Sequence, residues 1–82
     1  MSGLENVSEQ VAKQYSGLYG TYVPGVFEIG ETVSVHGFSG EVVWSFRKDG
    51  TGPLTYVIAN ENDWPEEVSA DKVYGRVSPW TS

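Results

Sequence analysis

The only side chain whose ordinary pKa lies near neutrality is His36, in the turn "HGFSG". Glu31 and Glu41 lie on either side of that turn, and a His–Glu dyad across a hairpin is a general-base arrangement. No nucleophile pair or glycine cradle accompanies it, so a surface histidine at a strand end is the expected case. A second chemistry-bearing stretch is "NENDWPEE", where Asn60, Glu61, Asn62 and Asp63 precede Glu66 and Glu67. Calcium loops alternate oxygen ligands but want a glycine at the bend and a closing bidentate glutamate. Trp64-Pro65 interrupts the series, so a solvated acidic loop is expected and no metal. "GTGP" is too short to cradle a phosphate and lacks the helix and lysine that would follow. With no cysteine, disulfides, zinc–thiolate sites and thiol catalysis are excluded. No cofactor is expected.

The aromatic residues say more. Trp44 belongs in a core, whereas Trp64 falls in a loop and Trp80 in the C-terminal tail. Exposed aromatic rings beside acidic groups are common anchors for protein partners. The candidate protein-binding groove therefore gathers Phe38, Tyr56, Trp64, Glu66, Glu67 and Tyr74. Eleven acidic and five basic residues give a net charge of −6, which suits a partner with a basic surface. Arg47-Lys48 is the only adjacent basic pair, too little to neutralise phosphates, so nucleic acid is not an expected partner. The longest apolar run falls far short of the roughly 20 residues of a membrane span. No signal-peptide pattern opens the chain, and the expected location is the cytoplasm.

These residues need a scaffold, and 82 residues allow one small domain. A division near Pro24-Gly25 separates an N-terminal arm (1–24), part helical or disordered, from a barrel (25–78) and a tail (79–82). In the arm, "LENVSEQVAKQY" sets Leu4, Val7, Val11 and Tyr15 at helical spacing with Ala12 beside them. Ser2 or Asn6 would cap that helix and Gly17 would end it. Either the arm is a frayed tail or it orders against a neighbouring subunit or partner. From Val26 onward the pattern is β. "FEIGETVSV", "GEVVWSF" and "LTYVIA" read as strands, with Val42, Trp44 and Phe46 on one face and Val43 and Ser45 on the other. Asp49-Gly50 is a strong hairpin signal. Pro65 disfavours strand pairing after Trp64. A helical turn at Ser69–Val73, capped by Ser69, leads into a last strand through Tyr74 to Val77. The fold class expected is all-β: a small SH3-like barrel of about five antiparallel strands, with an OB-like barrel as runner-up.

The pair Gly30-Glu31-Thr32-Val33-Ser34-Val35 and Gly37-Phe38-Ser39-Gly40-Glu41-Val42 resembles the first hairpin of KOW and Tudor-like barrels. A longer likeness, from Tyr22 to Val77, is to the plasmid-borne type II dihydrofolate reductases. Phe27, Gly30, Glu31 and Val33 match their opening "F-x-x-G-D-x-V". "GEVVWSF" parallels "G-Q-I-V-G-W-Y", "GPLTYVIA" their "P-E-G-Y-A-V" step, and "DKVYGRV" their "A-L-E-R-I" ending. The resemblance implies a barrel that forms a homotetramer around one pore, where a "V-Q-I-Y" segment holds a nicotinamide cofactor and folate. This chain has "PEEVSADKV", Pro65 to Val73, at that place, with Ser69 where the glutamine would stand. None of the family's functional residues is present, and Glu66 and Glu67 would repel a phosphorylated cofactor.

The expected function is a non-enzymatic protein-interaction module, a possible homo-oligomer. Accessory and assembly proteins of phages and bacteria are often built this way. The alternative is an oligomeric reductase-like enzyme with its site at a subunit interface.

Overall fold

Alternating apolar residues and tight glycine turns make five antiparallel strands. The computed structural model describes residues 7–77, so Ser2, Leu4, Asn6, Trp80 and the tail 79–82 lie outside the described residues. Helix α1 (Glu9–Tyr19) is followed by β1 (Thr32–Val35), β2 (Phe38–Arg47), β3 (Leu54–Ala59), β4 (Pro65–Ser69) and β5 (Val73–Arg76). They form one sheet in the order β4-β3-β2-β1-β5.

The connection from β4 to β5 forces that sheet to curl. In a flat five-stranded sheet the outer strands lie about 19 Å apart, four spacings of ~4.8 Å. The link between them is a 3-10 turn, Ala70–Lys72, and its four residue steps advance only about 8 Å. β2 makes the curl. Its first residues, Phe38 to Glu41, pair with β1, and Glu41 to Arg47 pair with β3. One strand thus serves two half-sheets, and with β5 beside β1 this is an SH3-like barrel. Its order and the absence of a helix between β3 and β4 rule out the OB-like arrangement.

At the bend β2 carries a bulge, a register shift between Val42 and Trp44. The inserted residue is Val43, and it reverses the alternation beyond it. Val42 points into the barrel with Val33, Val35, Tyr56 and Ile58. Trp44 and Phe46 instead form a second cluster with Ile29 and Val57 on the outer face. The single-face reading of Val42, Trp44 and Phe46 is therefore corrected.

Helix α1 covers that outer cluster. Ala12, Tyr15 and Tyr19 pack on it, with Val7 before the helix and Tyr22 after it. Val11, expected in the apolar stripe, is 38% exposed. Ser8 caps the helix by accepting from the Val11 N–H at 3.2 Å. The chain stays helical through Gly17, and Gly20, with φ of 106°, ends it. The arm thus docks on its own barrel. Its linker is held to β2 by Val23 N donating to the Ser45 carbonyl and Ser45 Oγ donating to the Val23 carbonyl.

Gly40 lies where β1, β2 and β3 come together. A Cβ there would collide with the Ala59 carbonyl, a backbone group that cannot rotate away. Gly40→Ala should therefore cost about 1–3 kcal/mol by overpacking, read as a lower urea midpoint with an unchanged slope.

Candidate protein-binding edge around Trp64

The turn between β3 and β4 is organised by one side chain. Asn60 Oδ1 accepts from the Asn62 N–H at 2.8 Å and from the Trp64 N–H at 3.1 Å. Asn60 Nδ2 donates to Glu66 Oε2 at 2.8 Å. Its backbone N–H donates to the Trp64 carbonyl, and its carbonyl accepts from Asp63 N. Asp63 takes a positive φ of 61°. This is a three-residue hairpin loop, a turn closed by a residue in the left-handed region. Trp64 leaves this braced loop with its side chain outward, 68% exposed.

Past Trp64 the chain enters β4, where Glu66 and Glu67 are both exposed. Here the expectation of an unpaired acidic loop is corrected: Pro65 is the first paired residue, opposite Ala59. A proline is tolerated there because its missing N–H belongs to the free edge. Glu67 reaches Lys48 Nζ at 3.3 Å from the β2–β3 turn. That turn is left-handed, with Asp49 at φ 56° and Gly50 at φ 80°, as the Asp-Gly pair demands. An open depression of about 410 Å³ adjoins the loop, lined among others by Thr32, Ser39, Glu41, Asn60 and Asp63.

The six residues of the expected groove do not come together. Tyr56 is 1% exposed inside the barrel, where its hydroxyl accepts from Phe27 N at 3.2 Å. The period-2 alternation of β3 turns it inward with Ile58, so it lines no surface groove. Phe38 is half-buried against the same cluster. Trp64, Glu66 and Glu67 share the β4 edge. Tyr74 is exposed on β5, which pairs with β1 and not with β4.

Tyr74 instead meets His36, its hydroxyl 3.1 Å from His36 Nδ1. The His–Glu dyad weighed above does not form with Glu31, which bonds to Arg76 Nε. That bond, and the Glu28 N–H at 2.6 Å, hold the Glu31 carboxyl below the usual carboxylate range. Arg76 also lies over the Phe27 ring at 5.1 Å and donates to the Val26 carbonyl. The unfolded chain thus binds the Glu31 proton more readily. Stability from this pair is complete above the unfolded carboxylate pKa and is lost as pH falls through the folded one. Glu31→Gln should flatten the acid-side fall of the urea midpoint; an unchanged fall would show that other carboxylates govern it. The Tyr19 hydroxyl is shifted up, first by burial and then by the charge of Glu67.

Among the described residues no three His, Asp or Glu side chains converge as metal ligands. Nor is any helix there long and apolar enough to cross a membrane. The segment where the reductase resemblance would set its cofactor residues is β4, which carries exposed Glu66 and Glu67 and a half-buried Ser69. Sequence reasoning missed Asn60 as the organiser of the loop. Its signal was an Asn opening a polar turn, a residue type that bonds its own backbone two residues on. No protein-family model, curated protein or solved structure matches the chain.

Proposed function

We propose that the chain is a non-enzymatic, SH3-like protein-interaction module, acting in the cytoplasm, that binds a basic segment of a partner protein at the β3–β4 turn and strand β4. The observation that carries this reading is Trp64: a large indole, 68% exposed, on a loop already fixed by Asn60. A rigid loop loses little entropy on binding, and tryptophan is the residue most enriched among binding hot spots. Glu61, Asp63, Glu66 and Glu67 flank it, so a lysine- or arginine-rich partner is favoured in approach and orientation.

The test is titration with lysine- and arginine-rich peptides, followed by the Trp64 indole resonance in NMR. Wild type should bind, more weakly as salt rises. Trp64→Ala should lose at least about tenfold in affinity, as hot-spot truncation does, while melting as wild type does. Equal binding by Trp64→Ala, or no binding by wild type, overturns the reading.

A further inference from the structure

From the register of β4 we infer that the partner segment binds as an added strand, with an extended basic peptide pairing its backbone to the outward N–H and C=O of Glu67 and the outward N–H of Ser69. The inference rests on the proposed module reading and specifies its geometry.

Asn60 N donates to the Trp64 carbonyl, so residues 60 and 64 form a hydrogen-bonded pair. In an antiparallel ladder such pairs alternate with non-bonded ones. Through the unbroken register Ala59↔Pro65, Ile58↔Glu66, Val57↔Glu67, Tyr56↔Val68 and Thr55↔Ser69, Glu66 and Val68 bond to β3. Pro65, Glu67 and Ser69 direct their backbone groups away from it. Pro65 fits this phase, since the position whose N–H would face outward is the one occupied by the residue that has none. The Ser69 carbonyl caps the 3-10 turn that follows, which leaves its N–H and both backbone groups of Glu67 facing outward with no backbone partner among the described residues, and β4 ends the sheet.

The other terminal strand is a poorer template. β5 has a register shift opposite Ser34/Val35 that leaves Tyr74 unpaired, and an edge bulge disturbs strand addition. β4 has five successive pairs and no bulge. Its side chains select the occupant. Glu66 and Glu67, with Asp63 before them, oppose a second copy of the same edge, because like charges set opposite one another destabilise a strand pair. Opposite charges there are favourable, so an alternating basic and apolar segment is admitted where a second β4 is repelled. Such a segment follows the recognised mode of strand addition, with main-chain bonds giving affinity and alternate side chains giving choice.

The probe is a capped peptide of alternating lysine and valine, mixed with the full chain. Amide exchange at Glu67 and Ser69 should slow on binding, while the amides of Glu66 and Val68, already bonded within the sheet, change little. Glu67→Pro removes an N–H that the fold leaves unused, as Pro65 does two residues earlier. It should bind about tenfold more weakly than Glu67→Ala, the size expected for losing one or two interstrand bonds. If Glu67→Pro fails to fold, the exchange pattern of wild type decides alone. Binding that depends on Trp64 without slowed exchange at Glu67 and Ser69 overturns strand addition and leaves the module reading standing. Absence of any binding overturns both. Slowed exchange that appears without peptide and grows with protein concentration identifies a second copy as the occupant and overturns the peptide proposal.

Discussion

Trp44→Ala is expected to cost the domain about a quarter or more of its folding stability. The indole is 1% exposed and sits at the centre of the outer cluster, 5.7 Å from the Tyr15 ring and 5.3 Å from Tyr22. Its Nε1–H donates to the Gly20 carbonyl at 3.1 Å, at the end of α1. Removing a buried tryptophan side chain costs about 3–5 kcal/mol. A domain of this length has a total stability of roughly 4–12 kcal/mol. The melting temperature should fall by roughly 12–40 °C, given 4–8 °C per kcal/mol for small domains. Trp44→Phe keeps most of the ring and loses the bond to Gly20, so its cost should be nearer about 1 kcal/mol. A Trp44→Ala protein melting within a few degrees of wild type would mean that the outer cluster contributes little.

Removing residues 1–20 should have an effect at least as large, and of a different kind. The truncated barrel bares Trp44, Phe46, Ile29 and Val57 together, four side chains now no more than 5% exposed. Each contributes about 1.5–3 kcal/mol when fully buried, and a bare patch of this sort promotes association. The expected result is a barrel that binds a hydrophobic dye, self-associates and unfolds at lower urea. A synthetic peptide of residues 7–20 should partly restore it only at about millimolar concentration, because a tether supplies an effective concentration of that order. A truncated chain that stays monomeric with the wild-type midpoint would show that α1 is dispensable. The arm is therefore a structural element of this chain's own barrel, whatever else it meets.

Most of the barrel was legible in the sequence because its turns are chemically explicit. Asp49-Gly50 marks one hairpin, Gly37 another, and "SADK" the short turn before the last strand. The 3-10 turn forms there without a side-chain cap from Ser69, contrary to expectation. β4 was hidden because proline and paired glutamates are depleted in strands generally; at an edge both are admissible. The bulge at Val43 leaves no local mark, since Val-Val-Trp reads equally well with or without an inserted residue. Only the three-dimensional bend of β2 demands it. The arm's periodicity was visible but its phase was not, because Val11 and Ala12 are adjacent and both apolar, and only the position of Trp44 decides which of them packs. Of the residues expected in the groove, Trp64, Glu66 and Glu67 were expected at the surface from their types alone, and all three are exposed. Tyr56 was misplaced because one residue of register separates a strand's inside from its outside.

The docking of α1 on β2 and β3 also imposes an order on synthesis. Tyr15 and Tyr19 leave the ribosome before Trp44 and Val57, which they pack against. At 5–20 residues per second, the 42 residues from Tyr15 to Val57 take roughly 2–8 s. During that interval the helix has no surface to lie on, and an isolated 11-residue helix is marginal in water. The nascent chain thus carries an uncovered tyrosine stripe until its third strand is made. That makes this interval, rather than the finished protein, the time at which a chaperone or a second nascent copy has most to hold.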